Sequence, residues 1–226
     1  MGSPAQPATH GQTRSASRTV CYILEMMSGT MSDPVAGSAP PEWNEFSPAK
    51  TNFLSFLYGG GEPVFAVLDA AQDDRIPAFL EACGEEHASL YDGQQASDLK
   101  LVAPYLVSLP PASKMFCPLL KEGWGKNWGF YLTSQSSLPQ VRYHLQHFVI
   151  VQSESGRPLY FRFYDPRVLH DYLATCAAEE RATFFGPMSR LVIEGKDPAV
   201  AVEYRNTVAG LARNEIRLGG PSGQGA

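Results

Sequence analysis

Long apolar runs, paired cysteines and basic charge are all scarce in this sequence, and each scarcity removes a class of function. No stretch approaches the ~20 consecutive apolar residues that a membrane-spanning helix requires. The one apolar patch near the start, Val20 to Met27, is short and contains Glu25. It lies too far into the chain to read as a secretory signal, so a cytoplasmic location is expected. The four cysteines, Cys21, Cys83, Cys117 and Cys176, are widely scattered, with no CxxC pair and no zinc spacing. They read as reduced thiols in the core of a protein from a reducing compartment. The formal net charge is -5 and no Lys/Arg-rich run interrupts it. Neither nucleic acid nor an anionic membrane is therefore an expected partner.

Catalytic motifs are equally sparse. There is no GxSxG, and no cysteine carries a local nucleophile signature. The run Gly59-Gly60-Gly61 precedes a strand-like segment, where a phosphate-binding loop would link a strand to a helix, and it lacks the Lys-Ser/Thr of a P-loop. It reads as a flexible loop. His144 and His147 share one helical face at i, i+3, but no third ligand sits at a telling distance and no glutamate lies between them. No cofactor is expected.

What is present is enough for one sizeable domain: 226 residues can bury a core without disulfides. Residues 1–45 are expected to be disordered, because Met1 to Ser17 is rich in Gly, Ser, Pro, Thr and Gln. Translation starting near Met26, Met27 or Met31 is an alternative reading of this stretch. Residues 46–195 read as an α/β domain, and residues 196–226 as a short helical extension followed by a flexible Gly-rich tail. Within the domain, Pro63 to Leu68 is a buried strand. Ile76, Phe79, Leu80 and Cys83 lie on one helical face behind Asp73 and Asp74, with Gly84 as the stop. Strands follow at Ala88 to Tyr91, Tyr105 to Leu109 and Trp128 to Thr133. Ser113 caps a short helix through Leu120, and Ser137 starts a helix through Gln146. A hairpin pairs His147 to Gln152 with Pro158 to Tyr164 across Glu154-Ser155-Gly156. Helices then open at Asp165-Pro166 and Glu179, a last strand spans Met188 to Ile193, and Ala199 to Leu211 reads as a weakly amphipathic helix. A hairpin inside a strand–helix alternation points to a mixed β-sheet flanked by helices.

The richest chemistry lies in Leu159 to Arg167. Strand alternation puts Phe161 and Phe163 on one face and Arg162 and Tyr164 on the other. Asp165 falls at a helix N-terminus, where negative charge is favoured, with Arg162 and Arg167 placed to pair with it. The segment reads as an anion clamp at the end of a sheet or, more simply, as a cap and ion pair that fix the strand–helix junction. Asp69, Asp92 and Asp165 each follow a strand. Together they would suit a metal-dependent hydrolase or nuclease, while Asp as a turn and cap residue explains each one singly. Trp124 and Trp128, set among Gly123, Gly125 and Gly129, form an aromatic loop that suits either a partner surface, together with Tyr105, or a lid on the core.

In order along the chain, several strings form a familiar series. They are Phe65 to Ala71, Ser89 to Gly93, Ala103 to Val107, and Trp128-Gly129-Phe130 followed by Ser134. The helix from Leu138 to Leu145 and the string Tyr160 to Leu169 complete it. Over residues 62–190 the series resembles a family, first defined only as a domain of unknown function, of effector adaptors and chaperones of the bacterial type VI secretion apparatus. The string Arg162 to Arg167 is its most specific part. The resemblance implies binding without catalysis. A secreted effector and the spike protein would be the partners, the effector would be loaded before firing, and the adaptor would stay in the cytoplasm. Members often continue into a longer helical C-terminal lobe, which this sequence lacks room for. A toxin-neutralising immunity protein is the other binding role that the sequence allows.

Overall fold

The computed structural model describes Trp43, residues 47–153 and residues 156–218. The expected disorder of residues 1–45, the alternative start sites, the Gly-rich tail and the tip of the hairpin at Glu154 and Ser155 lie outside the described residues, apart from Trp43.

The fold is α/β. Seven strands form one sheet: β1 (Val64–Asp69), β2 (His87–Ser89), β3 (Pro104–Leu109), β4 (Gly129–Thr133), β7 (Arg190–Glu194), β8 (Val200–Thr207) and β9 (Gly210–Arg217), in the order β2-β3-β1-β4-β7-β8-β9. Two short strands, β5 (Ile150–Gln152) and β6 (Pro158–Tyr160), make a separate hairpin. The helices are α1 (Pro48–Tyr58), α2 (Ile76–Cys83), α3 (Gly93–Asp98), α4 (Phe116–Pro118), α5 (Leu138–Val149), α6 (Pro166–Thr175) and α7 (Ala178–Phe185). A π-helical turn, Leu119–Gly123, continues α4.

Every pairing in the large sheet is antiparallel, so the expected mixed sheet is corrected. Strand–helix alternation gives parallel neighbours only when one crossover of a dozen or more residues links adjacent strands. Here the β2–β3 connection, residues 90–103 with α3 in it, is long enough for such a crossover but returns the chain antiparallel, and β1 meets β3 and β4 only after several intervening elements. The expected C-terminal helix is also corrected. Residues 200–217 form the β8–β9 hairpin, closed by Thr207↔Gly210. Val200, Val202 and Tyr204 alternate toward one face of the sheet, and Ala201 packs on the other. A helix-compatible stretch is held as strand by its pairing to β7.

Alternation along β1 sets the two cores. Phe65 and Val67 point to a layer built by α5, α6 and α7, where Phe148, Phe161, Phe163, Tyr172 and Phe184 meet edge to face. Val64, Ala66 and Leu68 point to a layer built by α1, α2 and the α4 segment, around Phe53, Ile76, Leu80 and Leu120. β1 is buried along its whole length, as a central strand covered on both faces must be. The helix starts are legible chemically. Ser47 accepts the Lys50 N–H at α1, a Ser137–Gln140 capping box opens α5, and Asp165 accepts the Arg167 N–H at α6.

Candidate functional site, a charged brace at one end of the sheet

The C-terminal end of β1, the N-terminal end of β4 and the C-terminal end of β7 lie side by side, through Leu68↔Gly129 and Phe130↔Ile193. The conspicuous charged residues gather at this end. Asp69 is fully buried. Its backbone N–H donates to the Trp128 carbonyl at 2.7 Å. Its carboxylate accepts from the Ala71 N–H at 3.1 Å, the Gln72 amide at 2.9 Å and the Arg162 guanidinium at 2.5 Å. A buried carboxylate is tolerated only when its lone pairs are satisfied in this way. Arg162, half-exposed, therefore ties the segment after β6 to the end of β1. It does not pair with Asp165, as its closeness in sequence suggests.

Asp165 is buried and chelated by Arg167. It takes the Arg167 N–H at 3.0 Å, Nε at 2.9 Å and the terminal nitrogen at 2.7 Å. The strand ends at Tyr160, and an Asp165 N–H to Arg162 carbonyl bond of 3.0 Å turns the chain into α6. Phe161 and Phe163 are buried as the alternation predicts, but Tyr164 is buried too. Burial raises the Tyr164 hydroxyl pKa far above its usual value, and that of the neighbouring Tyr91 hydroxyl above its own. Both phenols stay protonated. Asp92 is mostly exposed and meets Arg142 at 2.6 Å. The same Arg142 donates to the carbonyls of Ser89 and Tyr91, so it gathers the loop before α3 onto α5.

Sequence reasoning missed Glu194. This carboxylate ends β7 and is buried. It accepts the Gly125 N–H at 2.5 Å and the Asn127 N–H at 2.6 Å. Burial, opposed by those two donors, pushes its carboxyl up to about 7, with the Asp165 charge adding and Arg167 subtracting. A carboxylate closing the apolar run Leu191-Val192-Ile193, next to Gly195, was the available signal. Glu194 holds down the loop that carries Trp124 and Trp128. Both indoles are buried, and Trp124 Nε1 donates to the Pro198 carbonyl at 2.7 Å. The partner-surface expectation for Trp124 and Trp128 is therefore corrected: they are core. Gly123 shows why, since a Cβ there would meet the Trp128 ring at 2.6 Å. Tyr105 is half-buried and donates its hydroxyl to the Lys100 carbonyl at 2.7 Å.

The brace thus consists of saturated pairs. Asp69, Asp92 and Asp165 are each bound to a different arginine and do not share a pocket. Among the described residues no three His, Cys, Asp or Glu side chains lie close enough to hold a metal ion. His144 Nε2 lies 2.8 Å from the Phe184 carbonyl, and His147 Nδ1 lies 2.6 Å from the Tyr143 carbonyl. Of the described cysteines, Cys176 is buried, Cys83 is half-buried and Cys117 is exposed, so the expectation of core thiols is corrected at Cys117. No helix among the described residues is long and apolar enough to cross a membrane.

Residues 64–183 match the family model described as a domain of unknown function, DUF4123. The match spans a little over half of the chain. The chain belongs to this family. The DUF4123 span runs from β1 into α7 and contains Asp69, Asp92, Arg162, Asp165 and Arg167, while Glu194 and the strands β7 to β9 fall beyond it. No curated protein and no solved structure matches the chain.

Proposed function

We propose that this DUF4123 protein is a cytoplasmic adaptor or chaperone. It would bind a type VI secretion effector and help load it onto the spike protein before firing. Membership of the family, together with the motif series from Phe65 to Leu169, motivates the reading. The observation that carries it is the saturation of the brace. The buried carboxylates of Asp69 and Asp165 have their acceptor capacity taken up by backbone N–H groups, the Gln72 amide, Arg162 and Arg167. A hydrolase needs a base or a metal ligand free to meet substrate, and this constellation offers neither. Its work is to hold loops in place.

Co-expression with the effector and spike protein encoded beside it tests the proposal. A complex that survives size-exclusion chromatography, with the effector more soluble than when expressed alone, is the expected result. Failure to retain any genetically linked partner, or turnover of a substrate lost on Asp69→Asn, sinks it.

A further inference from the structure

Away from the brace, a groove of about 390 Å³ opens between α1 and the segment carrying α4 and its π-helical turn. Trp43, Leu54 and Phe116 line it with apolar surface, and Lys50, Lys114 and Lys121 line it with cationic surface. Lys114 and Lys121 are exposed and Lys50 is half-buried. None of the three ammonium groups has an ion-pair partner among the described residues, and no Asp or Glu lines the groove. Two acids lie at the groove's edge, and neither ion-pairs with the three lysines. Glu122 meets Arg75 at 3.3 Å, and Glu85 accepts the Lys114 backbone N–H at 3.3 Å.

Trp43 supplies an independent observation. Its ring is 8% exposed and is fixed by edge contacts to Phe53 and Trp124. Its Nε1 is buried and has no hydrogen-bond acceptor. Buried indole N–H groups normally find a partner, and this one has none among the described residues.

We propose that the groove binds an acidic peptide segment of a partner protein. An apolar side chain of the peptide would lie against Leu54 and the exposed edges of Trp43 and Phe116, and its carboxylates would meet the three lysines. Charge complementarity selects this occupant. A basic rim on a chain of net charge -5 is a local departure from the surrounding potential, which repels acidic segments elsewhere. A small inorganic anion leaves the apolar lining uncovered. An acyl chain brings one carboxylate to three ammonium groups. A peptide with several acids and one large apolar residue satisfies both kinds of surface. The adaptor reading is needed only to say whose peptide this is.

Cys117 lines the groove and is exposed, which makes it a reporter. The test uses the full chain and a dansyl-labelled peptide of sequence Glu-Asp-Leu-Trp-Glu-Asp. Saturable binding that weakens with added salt is expected, together with slower alkylation of Cys117 by iodoacetamide at saturating peptide. Lys50→Glu/Lys114→Glu/Lys121→Glu should weaken binding by about tenfold or more, and Lys114→Ala by less. Circular dichroism of each variant checks that it is folded. Equal affinity in the folded triple variant, equal binding of a peptide with lysine in place of its acids, or an unchanged Cys117 rate overturns the proposal. So does binding of decanoate or phosphatidylglycerol vesicles with no binding of the peptide. Cys117 already protected in the free protein overturns it in favour of the chain's own residues filling the groove. Loss of peptide binding with effector co-purification intact leaves the adaptor reading standing. Peptide binding without any retained effector removes that reading alone.

Discussion

Two sets of charged side chains on this molecule behave in opposite ways. At the end of the sheet, Asp69, Arg162, Asp165, Arg167 and Glu194 are tied to one another and to backbone groups, and the acids are buried. In the groove beside α1, Lys50, Lys114 and Lys121 stand without ionic partners among the described residues. A charge taken from water must find partners inside the protein or the fold loses stability. A charge left in water costs little to keep and stays available to a visitor. Burial and partnership therefore separate architectural charges from recognition charges better than residue type does.

The sharpest way to break that contrast is to remove the centre of the brace. Asp69→Ala strands the Ala71 N–H, the Gln72 amide and Arg162 at once. Arg162 is half-exposed and can regain water, so the expected loss is about 3 kcal/mol and not the upper end for a buried pair. Urea unfolding measures it, and a loss below about 0.5 kcal/mol, the scale of an ordinary surface change, would move Asp69 out of the architectural set.

The next effect is a pH slope. The Glu194 carboxyl sits at about 7 when folded, against an ordinary value of 4.5. Between those values the folded state keeps a proton that the unfolded state has lost. The stability linked to this group is therefore fully present below about 4.5 and is lost as pH rises through about 7, about 3 kcal/mol in all. Other carboxylates add slopes of their own, so the useful quantity is the difference between wild type and Glu194→Gln. Calorimetry from pH 5 to pH 8 should show that difference declining with pH. A flat difference refutes the assignment.

Asp165→Ala should cost about 1 kcal/mol, the usual loss of an N-cap, with somewhat more from releasing Arg167. An unchanged melting temperature would show that the Arg167 chelation adds nothing. The smallest effect belongs to the other set. Lys50→Glu/Lys114→Glu/Lys121→Glu should leave stability within about 0.5 kcal/mol. A large destabilisation would mean that these lysines also brace the fold.

Much of this was legible from sequence because it is local. The apolar run of β1, the Ser137 and Asp165 caps and the apolar stripe of α5 are each set by residues within a few positions of one another. The C-terminal hairpin was not legible. Its turn, Val208 and Ala209 between Thr207 and Gly210, carries no Asn-Gly signal, and four alanines between 199 and 212 suit a helix until β7 offers the stretch a partner. The Asp69–Arg162 bond was invisible for another reason: it joins residues 93 apart, and reading neighbours assigned Arg162 to Asp165. Trp124 and Trp128 read equally as a partner surface or as a lid on the core, and their burial favours the second. Gly123 leaves room for the Trp128 ring, while Gly129 lets β4 lie close against the β1 backbone at Val67.

The place of β1 in the sheet bears on how the chain survives its own synthesis. Among the described residues it is the first strand of the large sheet to leave the ribosome, yet it ends up in the interior, between β3 and β4. Its neighbours emerge tens of residues later, so for that interval Val64-Phe65-Ala66-Val67-Leu68 has no strand on either side and no helix layer over its second face. An unpaired segment with two apolar faces is a strong template for aggregation. Slower translation or lower temperature during expression should therefore raise the soluble yield more than any change to the finished protein's surface.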